Sequence, residues 1–181
     1  YLGTIVWNKT YGTPGLENGG QSIEIDEGYL LLGDTYNPED QNQNIFLIRA
    51  NSLGDTLWTK EFGDRETDYG ADIVATIDGG YMILGSTKQF SLLNFDIWMI
   101  KIDGGGIEQW NKYHGGGSDD YGQTILYLSD GTYLIKAISN SFGDENSSVV
   151  LLKTDQFGNE LWTKSFGGTK SEAGNTIRET D

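Results

Sequence analysis

The chain has 181 residues, of which 26 are glycine, 2 proline and none cysteine, with 12% aromatic. Lack of cysteine removes disulfides, thiol chemistry and cysteine-ligated metals, and no apolar run approaches the roughly 18 residues of a membrane-spanning helix. Twenty-seven acids against twelve lysines and arginines leave a formal charge of −15, a field that repels nucleic acid and anionic lipid and favours cations, cationic partners or simple solubility.

The first expected element is a strand over about 4–11, holding the phrase Trp7-Asn8-Lys9-Thr10-Tyr11-Gly12. Nearly the same phrase returns at Trp58, Trp110 and Trp162, at spacings of 51, 52 and 52 residues. A fixed period of this length marks a repeat whose single units cannot bury their own apolar faces. The first unit, about 12–62, has a short turn at Asp26-Glu27-Gly28, a polar loop from Asp34 to Gln43 and a second turn at Asn51 to Gly54. The second, about 63–113, is the clearest. Tyr69 to Asp78 leads through Gly79 and Gly80 to Tyr81–Thr87, and after the loop Lys88–Asn94 come Asp96–Asp103, the glycines 104–106 and the run to Tyr113. The third, about 115–166, repeats this with Asp130-Gly131, the loop Asn140–Asn146 and the turn Asp155 to Gly158.

Each unit therefore carries four β-rich runs, a to d, separated by turn chemistry and free of helical period. Four antiparallel strands per unit predict an all-β fold, a β-propeller segment of four-stranded antiparallel blades. About 3.5 blades fall in a single segment spanning 1–181, with partial blades at 1–11 and 167–181. The terminal d and a runs (about 4–11 and 174–179) lack the b and c strands between them, so the ring is not closed by itself. Further blades, from more chain or another molecule, are expected partners.

Trp58, Lys60 and Phe62 alternate and so share one face of strand d. The expected role is structural, with tryptophan wedged between blades and the lysine stem lying over aromatic surface. His114, the single histidine, takes the place of Tyr11, Phe62 and Phe166, and reads as an aromatic-slot substitute rather than a catalytic base. No catalytic or cofactor-binding residue is assigned. Acids recur two residues before a periodic glycine, as Glu17, Asp68, Asp120 and Glu172. They are expected to accept backbone N–H bonds in the d–a loop or to pair with a repeat lysine. Oxygen ligation of Ca²⁺ by Asp64, Asp68, Asp119 and Asp120 is the functional alternative.

The phrase Trp-x-Lys-x-(Tyr/Phe)-Gly-Gly, followed by Asp-Gly-Gly-Tyr and then Asp-x-Trp-x-Ile-Lys-x-Asp-x-x-Gly, resembles the tandem β-propeller repeats of secreted or cell-surface proteins of bacteria, notably Bacteroidetes, and of archaea. The resemblance covers essentially the whole chain. It implies a propeller and an extracellular or cell-surface location, and it brings no common catalytic residues.

Strand alternation places the d–a and b–c loops on one rim and the a–b and c–d turns on the other. The turns repeat, whereas the b–c loops do not, and loops on a rigid scaffold are where binding residues concentrate. The candidate binding rim comprises Tyr36, Glu39, Asp40, Lys88, Phe90, Phe142, Asp144 and Glu145. The functional expectation is a non-enzymatic extracellular binding or scaffold module that presents this rim to a protein or glycan. The alternative is a propeller hydrolase or lyase using rim or channel carboxylates, with or without calcium.

Overall fold

The computed structural model describes residues 4–12, 16–39, 41–88, 94–143, 147–168, 174 and 176–180. The described residues form twelve strands and no helix. They are β1 (Leu16–Ile25), β2 (Gly28–Asn37), β3 (Asn42–Asn51), β4 (Thr56–Phe62), β5 (Asp68–Ala75), β6 (Tyr81–Lys88), β7 (Phe95–Ile102), β8 (Glu108–His114), β9 (Asp120–Tyr127), β10 (Tyr133–Ser139), β11 (Ser148–Thr154) and β12 (Glu160–Phe166). They pair as three separate antiparallel sheets, each in simple chain order. β5 lies against β1, β2 and β3, and β9 against β5, β6 and β7, so the first strand of each blade packs on the blade before it. This is an open β-propeller segment of three complete blades.

The blades bury their faces against each other in two cores. Leu30, Leu32, Ile45 and Leu47 of the first blade meet Ile83, Trp98, Ile100 and Ile102 of the second. Met82, Leu84, Ile97 and Met99, from the other face of the second blade, meet Ile135, Ala137, Val150 and Leu152 of the third. Central strands b and c are apolar on both faces because both faces are covered, which is why their sequences run almost continuously hydrophobic rather than alternating.

The a–b turns of the second and third blades are closed by bonds from Gly79 N to Thr76 O (3.0 Å) and Gly131 N to Leu128 O (2.9 Å). Gly79 and Gly131 take φ of +79° and +81°, the left-handed conformation that glycine reaches at least cost. In the first blade the shorter turn forces Glu27 itself to φ +65°. The c–d turns are held by an Asx side chain: Asn51, Asp103 and Asp155 each accept two backbone N–H bonds from residues two and four further on.

Two expectations change. The first b–c loop is much shorter than Asp34–Gln43, because β2 continues to Asn37 and β3 begins at Asn42, pairing Tyr36 with Gln43 and Thr35 with Asn44. Polar residues can extend a hairpin beyond its core, since the ladder needs only backbone groups. The described residues of the terminal segments, 4–12 and 176–180, form no strand. Among the described residues no strand pairs with either of them.

One contact recurs at every junction. A methyl group added at Gly54, Gly106 or Gly158 would stand 2.8, 2.9 or 2.8 Å from the ring of Trp7, Trp58 or Trp110 respectively. The tryptophan of one unit thus packs on the c–d turn of the next, and the stem of Lys9, Lys60 or Lys112 lies beside it on the same glycine. The Tyr11 hydroxyl donates to Gly54 O (2.8 Å), and His114 Nε2 bonds Gly158 O (3.0 Å). His114 therefore fills the aromatic slot as expected, with burial holding its pKa below the usual imidazole value. Trp110→Ala should cost about 3 kcal/mol in urea unfolding, at the low end for large aromatics because the ring is only part-buried. Asn111→Ala, on the opposite face, should change stability by less than about 0.5 kcal/mol.

Candidate functional site

The d–a and b–c loops do share one rim, and hydrogen bonds tie them together. Asn94 Nδ2 donates to Gly116 O (3.3 Å) and Ser118 O (3.0 Å), and Phe95 N donates to Asp119 Oδ1 (2.9 Å). Lys88 N bonds Thr67 O (3.1 Å), and Asn140 N bonds Asp119 O (2.9 Å). The opposite rim carries the repeating turns, and each a–b turn is pinned by a cation from strand c. Lys101 pairs with Asp78 and Lys153 with Asp130, both at 2.9 Å, while Arg49 donates to Asp26 O. Hydrogen bonds from Thr76 and Thr132, together with those lysines, hold Asp78 and Asp130 down at about 2.

Three rings form a row on the first rim. Tyr69, at the start of β5, lies 5.6 Å from Phe95, which opens β7, and Phe95 lies 5.2 Å from Tyr121 of β9. The ring planes are tilted by 36° and 34°, close to the offset packing that aromatic pairs favour. Tyr69 is the most open, at 38% exposed. Burial and the neighbouring Asp119 carboxylate raise the Tyr121 phenol above its ordinary value. Tyr69 and Tyr121 are one period apart, each directly before a periodic glycine, and that repeated position was the available sequence signal for the row.

The acids adjoining these tyrosines lie beneath the rim. Asp120 is fully buried, accepting from Ser139 Oγ, from Ser141 Oγ (2.7 Å) and from Gly116 N (2.9 Å). Asp68, 1% exposed, is less well served. Its Oδ2 accepts from Asp64 N (3.2 Å) and the Thr87 hydroxyl donates to the carboxylate, while Oδ1 has no hydrogen-bond partner, nor has the buried Asn42 Oδ1. Burial is the main cause that lifts Asp68 to about 6, with Asp64 and Glu66 adding repulsion. Burial also raises Asp34, Asp72 and Asp96. Asp34 and Asp72 accept backbone N–H bonds across blade junctions, from Gly70 (2.6 Å) and Ile125 (3.0 Å).

The calcium candidates thus divide between surface and interior. Asp64 is exposed and accepts Glu66 N, Asp119 accepts Phe95 N, and Asp68 and Asp120 are buried latches of their own loops. Among the described residues no three His, Cys, Asp or Glu side chains converge as a metal would need. Of the binding-rim candidates, Tyr36 is half-buried in β2, Glu39 is exposed with its N–H on Asn37 Oδ1, and Lys88 ends β6. Phe142 packs against the second core rather than facing out freely. Asp40, Phe90, Asp144 and Glu145 lie outside the described residues. Comparison with protein-family models and with curated proteins finds no match.

A carboxyl that titrates at about 6 folded and 3.8 unfolded holds its proton longer in the native state, so stability is lost as pH rises from about 4 through 6. The shift corresponds to about 3 kcal/mol. Urea unfolding in EDTA should show this decline, and Asp68→Asn should remove that component while Asp34, Asp72 and Asp96 retain theirs.

Proposed function

We propose that this chain is a non-enzymatic binding or scaffold module of an exported or surface-displayed bacterial or archaeal protein, presenting its d–a and b–c rim to a protein or glycan. The supporting observation is the Tyr69–Phe95–Tyr121 row, set between hydrogen-bonded loops and flanked by Lys88 and Asp119. Tyrosine combines an apolar ring with a polar tip, which suits it to wet recognition surfaces where one end must stay solvated. The repeating opposite rim carries aromatic pairs, Trp7 with Tyr29 and Tyr127 with Tyr133, but no row of three rings among its described residues, and its lysines are engaged with its own turns. The resemblance to surface-displayed propeller repeats supports the same reading. Asp96 and Asp120 are neighbours, the pair a hydrolase or lyase would call on, but at 7% and 0% exposure they are covered by their own loop.

Calcium is proposed only for the first junction, where the orphaned Asp68 Oδ1 and Asn42 Oδ1 are the acceptor atoms that favour a cation. If it binds, EDTA lowers the melting temperature and excess Ca²⁺ restores it by mass action; an unchanged melt removes calcium from the account.

Affinity electrophoresis against soluble polysaccharides, with surface plasmon resonance against surface-protein candidates, tests the binding reading. Tyr69→Ala should weaken a bound ligand by about tenfold or more, in line with loss of an aromatic contact near a binding centre. Phe157→Ala, on an exposed turn of the other rim, should leave binding unchanged. Equal affinity in the Tyr69 variant would move the site off this rim.

A further inference from the structure

A cavity of about 360 Å³ lies on the turn rim, between the second and third blades. Ligand sites run from about 300 to 1,000 Å³, so this one suits a single small ring. Part of its wall is aromatic: Trp110 of β8, Tyr127 of β9, Tyr133 of β10 and Phe157 of the last c–d turn. The rest is chiefly polar, with Asp78 of an a–b turn, Lys101 of β7, Gln109 of β8 and Gln156. Four of these side chains depart from the repeat. One period earlier, the places of Gln109, Tyr127, Gln156 and Phe157 hold Leu57, Ala75, Gly104 and Gly105. The backbone of the two c–d turns is the same, closed by Asp103 or Asp155 and by Gly106 or Gly158 at φ +77° or +75°. A junction therefore closes without these four side chains, and folding does not explain them.

The charges beside the cavity are already matched. Lys101 is buried, and it donates to Asp78 (2.9 Å), to Gln109 Oε1 (3.2 Å) and to Ile102 O (3.1 Å). Asp78 also accepts from Thr76 and from Gly80 N (3.1 Å). A charged ligand would meet no uncommitted opposite charge. The Tyr133 hydroxyl is different. The side chain lines the cavity at 2% exposure, with its ring 5.2 Å from that of Tyr127, and it makes no hydrogen bond among the described residues. Burial, Tyr127 and the Asp78 carboxylate raise this phenol well above its ordinary value, so it stays a neutral donor. Buried polar groups in folded proteins are bonded, and its partner is then supplied from the cavity, by water or by a ligand. With its oxygen on Lys101, Gln109 likewise has its amide N–H groups to offer. An apolar ligand would strand these donors away from water. A neutral ring with an apolar C–H face and several hydroxyls meets both parts of the wall.

We propose that this cavity binds one neutral pyranose ring of a glycan, with Phe157 and Tyr127 packing on the ring and Tyr133 and Gln109 donating to its hydroxyls. Phe157, at 58% exposed, is an aromatic side chain left on a turn where the first junction has glycine. The site lies on the rim opposite the Tyr69–Phe95–Tyr121 row and is independent of what that row binds.

Saturation-transfer NMR of the 181-residue chain with methyl glycosides of glucose, galactose, mannose and N-acetylglucosamine tests it, with choline and benzoate as charged probes. At least one glycoside is expected to bind in the millimolar range, the scale open to so small a ligand. Phe157→Gly and Tyr127→Ala restore the first junction's own residues, so each should fold while weakening binding about tenfold or more. Tyr133→Phe removes only the hydroxyl and should weaken binding with the melting temperature unchanged. Tyr69→Ala should leave glycoside binding as it was, whereas a ligand of the row responds to Tyr69 and not to Phe157. No glycoside bound in the millimolar range, a glycoside held as tightly by Phe157→Gly or Tyr133→Phe, or a preference for choline or benzoate would each overturn the proposal.

Discussion

A tryptophan lying on a glycine turn is the contact on which the other features of this protein depend. Strands b and c are apolar on both faces, so a blade standing alone would expose more hydrophobic surface than a soluble sheet tolerates. Stacking blades removes that surface from water, but stacking alone leaves the rotation between sheets loosely defined. The indole fixes it. It requires a turn residue without Cβ at Gly54, Gly106 or Gly158, and φ near +75° at each of them makes glycine the natural occupant for a second, independent reason. The beside-lying lysine stem and the polar tip of Tyr11 or His114 then complete the junction at the turn carbonyl.

Polar groups line the seams between blades as well as the surface, which is unusual for a chain that gains most of its stability by apolar burial. Asp34 and Ser86, one period apart, each accept the N–H of a glycine in the next blade, at 2.6 and 3.1 Å. A buried carboxylate is costly without such partners, and Asp68 keeps one oxygen unbonded while burial raises its pKa. The inner ends of the blades are thus specified by hydrogen-bond geometry, and the outer ends by aromatic packing. Together these seams hold the rim loops in place, so that Tyr69, Phe95 and Tyr121 meet although they come from two different blades.

The architecture is largely legible in the sequence. The period of the tryptophan phrase, the glycines at fixed offsets and the four β-runs per unit are local or periodic facts, and each has a direct structural cause. His114 could be placed for the same reason, by comparison with Tyr11 and Phe62. Polar composition at the first b–c loop predicts irregular structure over Asp34 to Gln43, whereas Thr35 to Asn37 continue the ladder of β2 on β3. The ends match the repeat and so predict strands, yet a strand exists only with a hydrogen-bonded neighbour.

What the sequence by itself determined was the repeat, the blade and the direction each strand d faces, since period and side-chain alternation follow from one chain's own geometry. Only the tertiary structure decided which side chains meet across blades. Trp7 finding Gly54, Lys136 taking the slot of Leu32 and Leu84, and a ring row assembled from β5, β7 and β9 all depend on distances between segments far apart in the chain. The burial that separates Asp68 from the exposed Asp64, four residues earlier, is likewise set by the blade packed over it. A sequence records which groups are available, and the packing of one sheet on the next determines which of them lose their water.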